Sequence, residues 1–182
     1  YDMKKILFAA SEAVPFMKTG GLADVTGSLP KYFDKKNYDV RVILPKYVCM
    51  EERWKGQLHF LCHFYVNLSW RKQYVGIFET TYDGITYYLV DNEFYFAGNA
   101  PYNNIYEDVE KFAFFSKAVL EALPYLDFCP DIIHCHDWQT GLLPVFLRTL
   151  YGDEEYYTGI KTVFSIHNLK FQGRWKLPAV MD

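Results

Sequence analysis

The sequence predicts an α/β fold: a Rossmann-like, mainly parallel sheet flanked by helices, with an inserted antiparallel β-meander. Three observations predict it. Short apolar runs at 5–10, 39–44, 131–136 and 161–166 suit strands, the first of them continuous enough to be buried on both faces. Between them lie segments with apolar residues at helical spacing. The stretch at about 58–90 is rich in aromatic and β-branched residues and carries a hairpin signal at Asp83-Gly84.

Lys5 to Ala10 opens the chain as a buried strand. A glycine-containing loop leads to Leu22–Phe33, spaced as a helix. Asp39 to Leu44 is the second strand, stopped by Pro45. Phe60–Leu68, Tyr74–Thr80 and Ile85–Val90 form the meander, and 91–104 is a loop of Asn, Gly and Pro. Glu107 to Leu123 is a helix, with Phe112, Phe115, Val119 and Ala122 on one face and acids in its first turn, where the helix dipole favours them. Asp131–His136 is a short strand after Pro130. Asp137–Tyr151 is the next helix, with Gly152 as its C-cap and Pro144 marking a kink or a later start. Lys161–Ile166 is the last strand. Strands alternating with helices imply parallel crossovers, and such sheets bind ligands beyond the carboxyl ends of their strands.

Composition narrows the function. At 182 residues the chain is read as one domain spanning 1–182, able to bury a core without metal or disulfide. With 51% apolar and 23% charged residues it is not a disordered chain. The net charge of −3 argues against nucleic acid as a partner. No apolar run reaches the roughly 18 residues of a membrane helix. The four cysteines form no C-x-x-C pair, so reduced thiols and a cytoplasmic location are expected. The start lacks signal-peptide character, and the end at 177–182 reads as a cut rather than a finished chain. The 16 Tyr, 15 Phe and 4 Trp suit a sugar-binding surface, although most must be core.

Three strand ends carry chemistry. The first holds Glu12, Lys18, Gly20, Gly21 and Asp24. A Gly-Gly pair before a helix lets the backbone approach a ligand, helix-start amides face an anion, and Lys18 adds positive charge for a phosphate. Alone, the pair reads more readily as a plain turn, and neither the Walker nor the dinucleotide pattern is present. The second end is His134-Cys135-His136-Asp137-Trp138. His134 and His136 share a strand face, and His134 fits a buried, satisfied ring better than a ligand. Asp137 stands where it can cap the helix and still reach a ligand. The third end carries His167 and Asn168, whose imidazole and amide read hydroxyls as readily as they face water. The topology brings all three to one side of one sheet, with Trp138 and Tyr102 as stacking surface. Transfer of a sugar from a phosphorylated donor is the chemistry this suggests.

The motifs K-T-G-G-L-A-D-V at 18–25, H-C-H-D-W-Q-T-G at 134–141 and I-H-N-L-K-F-Q-G at 166–173 resemble, in order and spacing, the N-terminal half of the glycogen and starch synthases. The resemblance implies half of a GT-B fold, in which two Rossmann-like domains face across a cleft. It implies transfer of glucose from ADP-glucose to the non-reducing end of an α-1,4-glucan, with retention and with no cofactor or metal. By the same resemblance Lys18, Gly20 and Gly21 meet the donor diphosphate. His167 bonds the transferred glucose with Asn168 in support, and Asp137 lies toward the acceptor or the reacting sugar. Glu12, Asp24, Tyr102 and Trp138 shape the cleft. The nucleotide-binding C-terminal domain is absent from the 182 residues, so the chain is expected to be an inactive fragment that binds donor weakly. Two rivals remain. One is a metal-dependent hydrolase built on His134, His136, Asp137 and His167. The other is a noncatalytic glucan-binding module using surface tyrosines.

Overall fold

The computed structural model describes residues 2–167 of the chain. Seven strands form one sheet in the order β3-β4-β5-β2-β1-β6-β7. They are β1 (Lys4–Ala9), β2 (Tyr38–Pro45), β3 (His59–Leu68), β4 (Arg71–Tyr82), β5 (Ile85–Asp91), β6 (Ile132–His136) and β7 (Lys161–Ser165). The helices are α1 (Gly21–Ser28), α2 (Glu52–Lys55), α3 (Ile105–Leu126) and α4 (Leu142–Thr149). β5, β2, β1, β6 and β7 run parallel, and β3 and β4 extend the β5 edge antiparallel.

The expected antiparallel meander is β3-β4-β5, and it is continuous with the parallel sheet. β5 is its last strand and also pairs in parallel with β2, Ile43 opposite Tyr88. Its residues serve both roles because Tyr87 to Val90 are buried on both faces. The pleat divides the core in two. Leu7, Ala9, Ile43, Ile133 and Cys135 face α3 and α4 through Phe112, Phe115, Val119, Leu143 and Leu147. Ile6, Phe8, Val40 and Val42 face the other layer with Phe16 and Leu29.

Two helices differ from expectation. The segment after β1 is α1 followed by a 3-10 turn at Leu29–Tyr32, with Pro30 near its start. The segment after β6 is a 3-10 turn at Trp138–Thr140, then α4, so Pro144 marks a later start rather than a kink. Pro144 sits in the first turn of α4, where a missing N–H costs nothing. The C-cap of α4 is Leu150, not Gly152. α3 matches its acids and its periodicity, and Asn104 caps it by accepting from the Glu107 N–H at 3.0 Å.

β1 lies between β2, the next strand in sequence, and β6, which the chain reaches only after crossing back through α3. The strand order reverses at β1/β6, and a crevice opens beyond the carboxyl ends there. All three motif-bearing strands, β1, β6 and β7, are neighbours in the sheet.

Candidate active site

A cavity of about 630 Å³ occupies that crevice. Among its lining residues are Glu12, Gly20, Gly21, Tyr102, Asp137, Trp138 and His167, contributed by all three strand ends and the 91–104 loop. The convergence expected from sequence is present for these seven. Lys18 and Asp24 do not line it. They pair with each other at 2.8 Å, 53% and 55% exposed. Asn168 lies outside the described residues.

Glu12 organises the loop after β1. It is 2% exposed, and its carboxylate accepts four hydrogen bonds. Thr19 Oγ1 and the Tyr102 hydroxyl donate to Oε2 at 2.5 and 2.9 Å. The amides of Gly20 and Ala23 donate to Oε1 at 3.1 and 3.3 Å. The Glu12 carbonyl accepts from Thr26 Oγ1 at 2.6 Å, tying α1 to the strand end. The Tyr102 oxygen in turn accepts a hydrogen bond from the Ser11 hydroxyl at 2.7 Å, since its own O–H donates to Glu12. Burial and the Glu12 charge push the Tyr102 hydroxyl well above its ordinary value, so it stays a donor. Of the loop and helix-start amides expected to face a ligand, two are committed to Glu12 instead. Among the described residues, the Gly21 and Leu22 amides have no protein acceptor and remain for an anion.

The glycines separate by reason. A Cβ on Gly27 would stand 2.3 Å from Val14 Cγ2 and 2.8 Å from the Val14 carbonyl, so close packing demands glycine there. A Cβ on Gly20 or Gly21 meets nothing within 4 Å, and neither has a positive φ. Neither packing nor backbone angle requires them. Their missing side chains leave the cavity rim open.

Asp137 stands at the N-cap of the Trp138–Thr140 turn and lines the cavity, as the sequence allows. Its carboxylate caps no helix amide but accepts from the His167 N–H at 2.7 Å, joining the ends of β6 and β7. Its backbone, at φ 58° and ψ −179°, occupies a region nearly reserved for glycine, at a cost of about 1–3 kcal/mol. Three hydrogen bonds hold it there. The Asp137 N–H donates to the Ser165 carbonyl at 2.9 Å, and the Asp137 carbonyl accepts from Thr140 N–H and Oγ1, each at 3.2 Å.

The remaining lining includes groups the sequence reading did not single out. Asp108 sits in the first turn of α3, where its charge read as dipole compensation. It is buried, accepts from the Asn103 N–H at 3.0 Å and stands 3.4 Å from the buried Lys111, which donates to the Pro101 carbonyl at 2.8 Å. This network fixes the loop that presents Tyr102. Gln139 also lines the cavity, as does Trp138, whose ring meets Phe112 edge-on at 5.8 Å.

Three histidines follow one another on the Phe8 side of the sheet. His134 and His136 stack with centroids 4.2 Å apart, and His136 lies 5.2 Å from Phe8. His134 Nε2 meets Ser165 Oγ at 2.7 Å, and His136 Nδ1 meets His167 Nε2 at 2.8 Å. These nitrogens are spent on each other and on Ser165, and among the described residues no three His, Cys, Asp or Glu side chains group as a metal site. The hydrolase reading finds no support.

Burial, then His134 and His167, push His136 down to about 3. The unfolded ring returns to about 6.5 and binds the proton that the native ring refuses. Stability from this residue is complete above pH 6.5 and falls as the pH drops from there toward 3, with roughly 2 kcal/mol gone by pH 5. Urea unfolding at pH 7.5 and pH 5 is expected to show a smaller loss in His136→Asn than in the native chain. An equal loss in both would refute it.

The sequence model of the starch synthase catalytic domain matches residues 5–182. The chain belongs to the starch synthase catalytic domain family. It is 66% identical over 180 residues to the glycogen synthase of Lachnoclostridium phytofermentans and 61% identical to that of Lachnospira eligens, covering 99% of this chain in each case. It spans 38% of the length of each of those relatives. The catalytic domain of starch synthase IV from Arabidopsis thaliana, solved with ADP and acarbose, shares its fold with a TM-score of 0.82 and 29% identity, over 95% of this chain and 35% of that one. The α/β class and Rossmann-like sheet expected from sequence are those of this starch synthase family, the N-terminal half of a GT-B catalytic domain. No helix among the described residues is long and apolar enough to cross a membrane.

Proposed function

We propose that this chain supplies the acceptor-side half of a two-domain, retaining glucosyltransferase that moves glucose from ADP-glucose to the non-reducing end of an α-1,4-glucan in the cytoplasm. The observation that supports this best is the cavity at the β1/β6 switch point, lined by the glycine loop, Asp137, Trp138 and His167 together.

In this reading the Gly21 and Leu22 amides and Lys18 take the charge that develops on the departing diphosphate. Lys18 leaves Asp24 at little cost, because an ion pair this exposed is worth under about 1 kcal/mol. His167 holds the transferred glucose with Asn168 beside it. Asp137 lies on the acceptor side, where a fixed carboxylate suits a hydroxyl or a developing positive sugar. Trp138 and Tyr102 give the sugar rings flat walls, and Glu12 and Asp24 set the loop that carries Lys18. The adenine, the ribose and a further glutamate-bearing loop belong to the C-terminal domain. The 182-residue chain alone therefore binds donor weakly and turns over none.

The test is a chemical-shift titration of the chain with ADP-glucose and with a maltooligosaccharide. ADP-glucose is expected to move the Lys18, Gly21 and His167 signals together. Gly21→Val, which puts methyl groups where a Cβ meets nothing, is expected to weaken that binding about tenfold or more while leaving the fold intact. Perturbation by the glucan alone, with no response at Lys18, would favour the noncatalytic binding module.

A further inference from the structure

The proton arrangement of His167 is set by the histidine behind it. His136 is fully buried, with Phe8 5.2 Å away and the His134 ring stacked at 4.2 Å. Its Nδ1 stands 2.8 Å from His167 Nε2, and the two rings are within 13° of parallel with centroids 5.0 Å apart. Nitrogens much closer than the ring centres mean that the rings meet edge to edge. The N–H of one then points at the lone pair of the other in nearly a common plane, as a good hydrogen bond requires.

Only one of the two nitrogens carries the shared proton. The other ring nitrogen of His136, Nε2, is buried with no partner among the described residues. A proton on Nε2 would leave an orphaned buried N–H, which folded proteins rarely tolerate. A proton on Nδ1 leaves only an unused lone pair. His136 is therefore the donor and His167 Nε2 the acceptor.

We infer that His136 is a positioning residue: by donating from Nδ1 to His167 Nε2 it fixes His167 in the Nδ1–H form, so that His167 presents a hydrogen-bond donor, not an acceptor, at the cavity. That donor suits a ligand oxygen, a sugar hydroxyl or a phosphate, and the fixed ring plane sets its direction. Asp137 completes the arrangement by accepting the His167 backbone N–H at 2.7 Å. The inference rests on the glucosyl-transfer reading only for its kinetic consequence; the tautomer stands on geometry alone.

Two measurements test it. The first is long-range nitrogen–proton correlation on the ¹⁵N-histidine-labelled chain, which has only five histidines. A protonated His167 Nδ1 with a bare, hydrogen-bonded Nε2 is expected. A protonated His167 Nε2, or signals averaged between the two forms, would overturn the inference. The second is kinetics in the full-length enzyme. His136→Leu is expected to lower kcat about 10- to 100-fold with the KM for ADP-glucose nearly unchanged. His136→Asn, whose amide nitrogen sits where Nδ1 does, is expected to recover most of the loss. An Asn variant no better than Leu, or a loss confined to KM, counts against it. Where the Leu variant does not fold, the Asn variant and the nitrogen spectrum still decide. A wild-type enzyme that transfers no glucose would remove the functional reading and leave the tautomer result standing.

Discussion

His167→Ala in the full-length enzyme is expected to lower kcat by about 10²-fold or more, the usual cost of deleting a fixed donor to a reacting group. Its stability should fall by only about 1 kcal/mol. The asymmetry follows from the position of the ring. His167 is exposed at the cavity mouth, so its removal opens no void, and water can accept the hydrogen bond that His136 no longer donates to Nε2. The backbone N–H of residue 167 still reaches Asp137 after the exchange, so the joint between β6 and β7 survives. Glucose incorporation from ADP-glucose into glycogen, measured beside a urea unfolding curve, separates the two effects. A variant with native kcat would sink the assignment of His167. A variant that loses activity only in proportion to its unfolded fraction would make the residue structural.

The convergence of the three strand ends was legible because it depends on topology, which apolar runs and helical spacing report directly. Lys5–Ala10, Asp131–His136 and Lys161–Ile166 had to be neighbouring parallel strands for the motifs to meet, and β1, β6 and β7 are. What the sequence could not show was which polar group would satisfy which. Glu12 read as a minor cleft residue, since nothing local says that a carboxylate eight positions before Gly20 will take its amide. Asp137 read as a helix cap that could also reach a ligand, because a side-chain cap and a positive-φ joint share the same sequence signature, an Asp between a strand and a helix. His136 read only as a strand-face partner of His134 and a member of a rival metal cluster, with nothing to mark its contact with His167. Its partner lies 31 residues away, and only the register of β6 against β7, with His136 opposite Ser165, brings the rings together. Long-range polar pairing is a tertiary property, and single-residue preferences do not encode it.

The second large effect belongs to Glu12. Glu12→Ala is expected to destabilise the chain by about 3 kcal/mol and to abolish measurable ADP-glucose binding. The substitution leaves Thr19, Gly20, Ala23 and Tyr102 without their common acceptor, and two of those donors are amides at the start of α1 that have no other among the described residues. Part of the cost is recovered because the cavity side of the loop can take up water, which is why the figure stays well below the sum of four buried orphans. Glu12→Gln discriminates the mechanism. Its carbonyl can still accept from Gly20 and Ala23, while its amide nitrogen meets Thr19 and Tyr102, whose hydroxyls can turn to accept. Stability and binding should therefore fall in the order Glu, Gln, Ala. If the loop were held by packing alone, Gln and Ala would differ little from the native residue in urea unfolding. If Glu12 instead met the ligand directly, Gln would keep full stability and lose binding outright. The graded order is specific to a buried carboxylate that occupies half of a helix N-terminus and leaves the other half, Gly21 and Leu22, open for an anion.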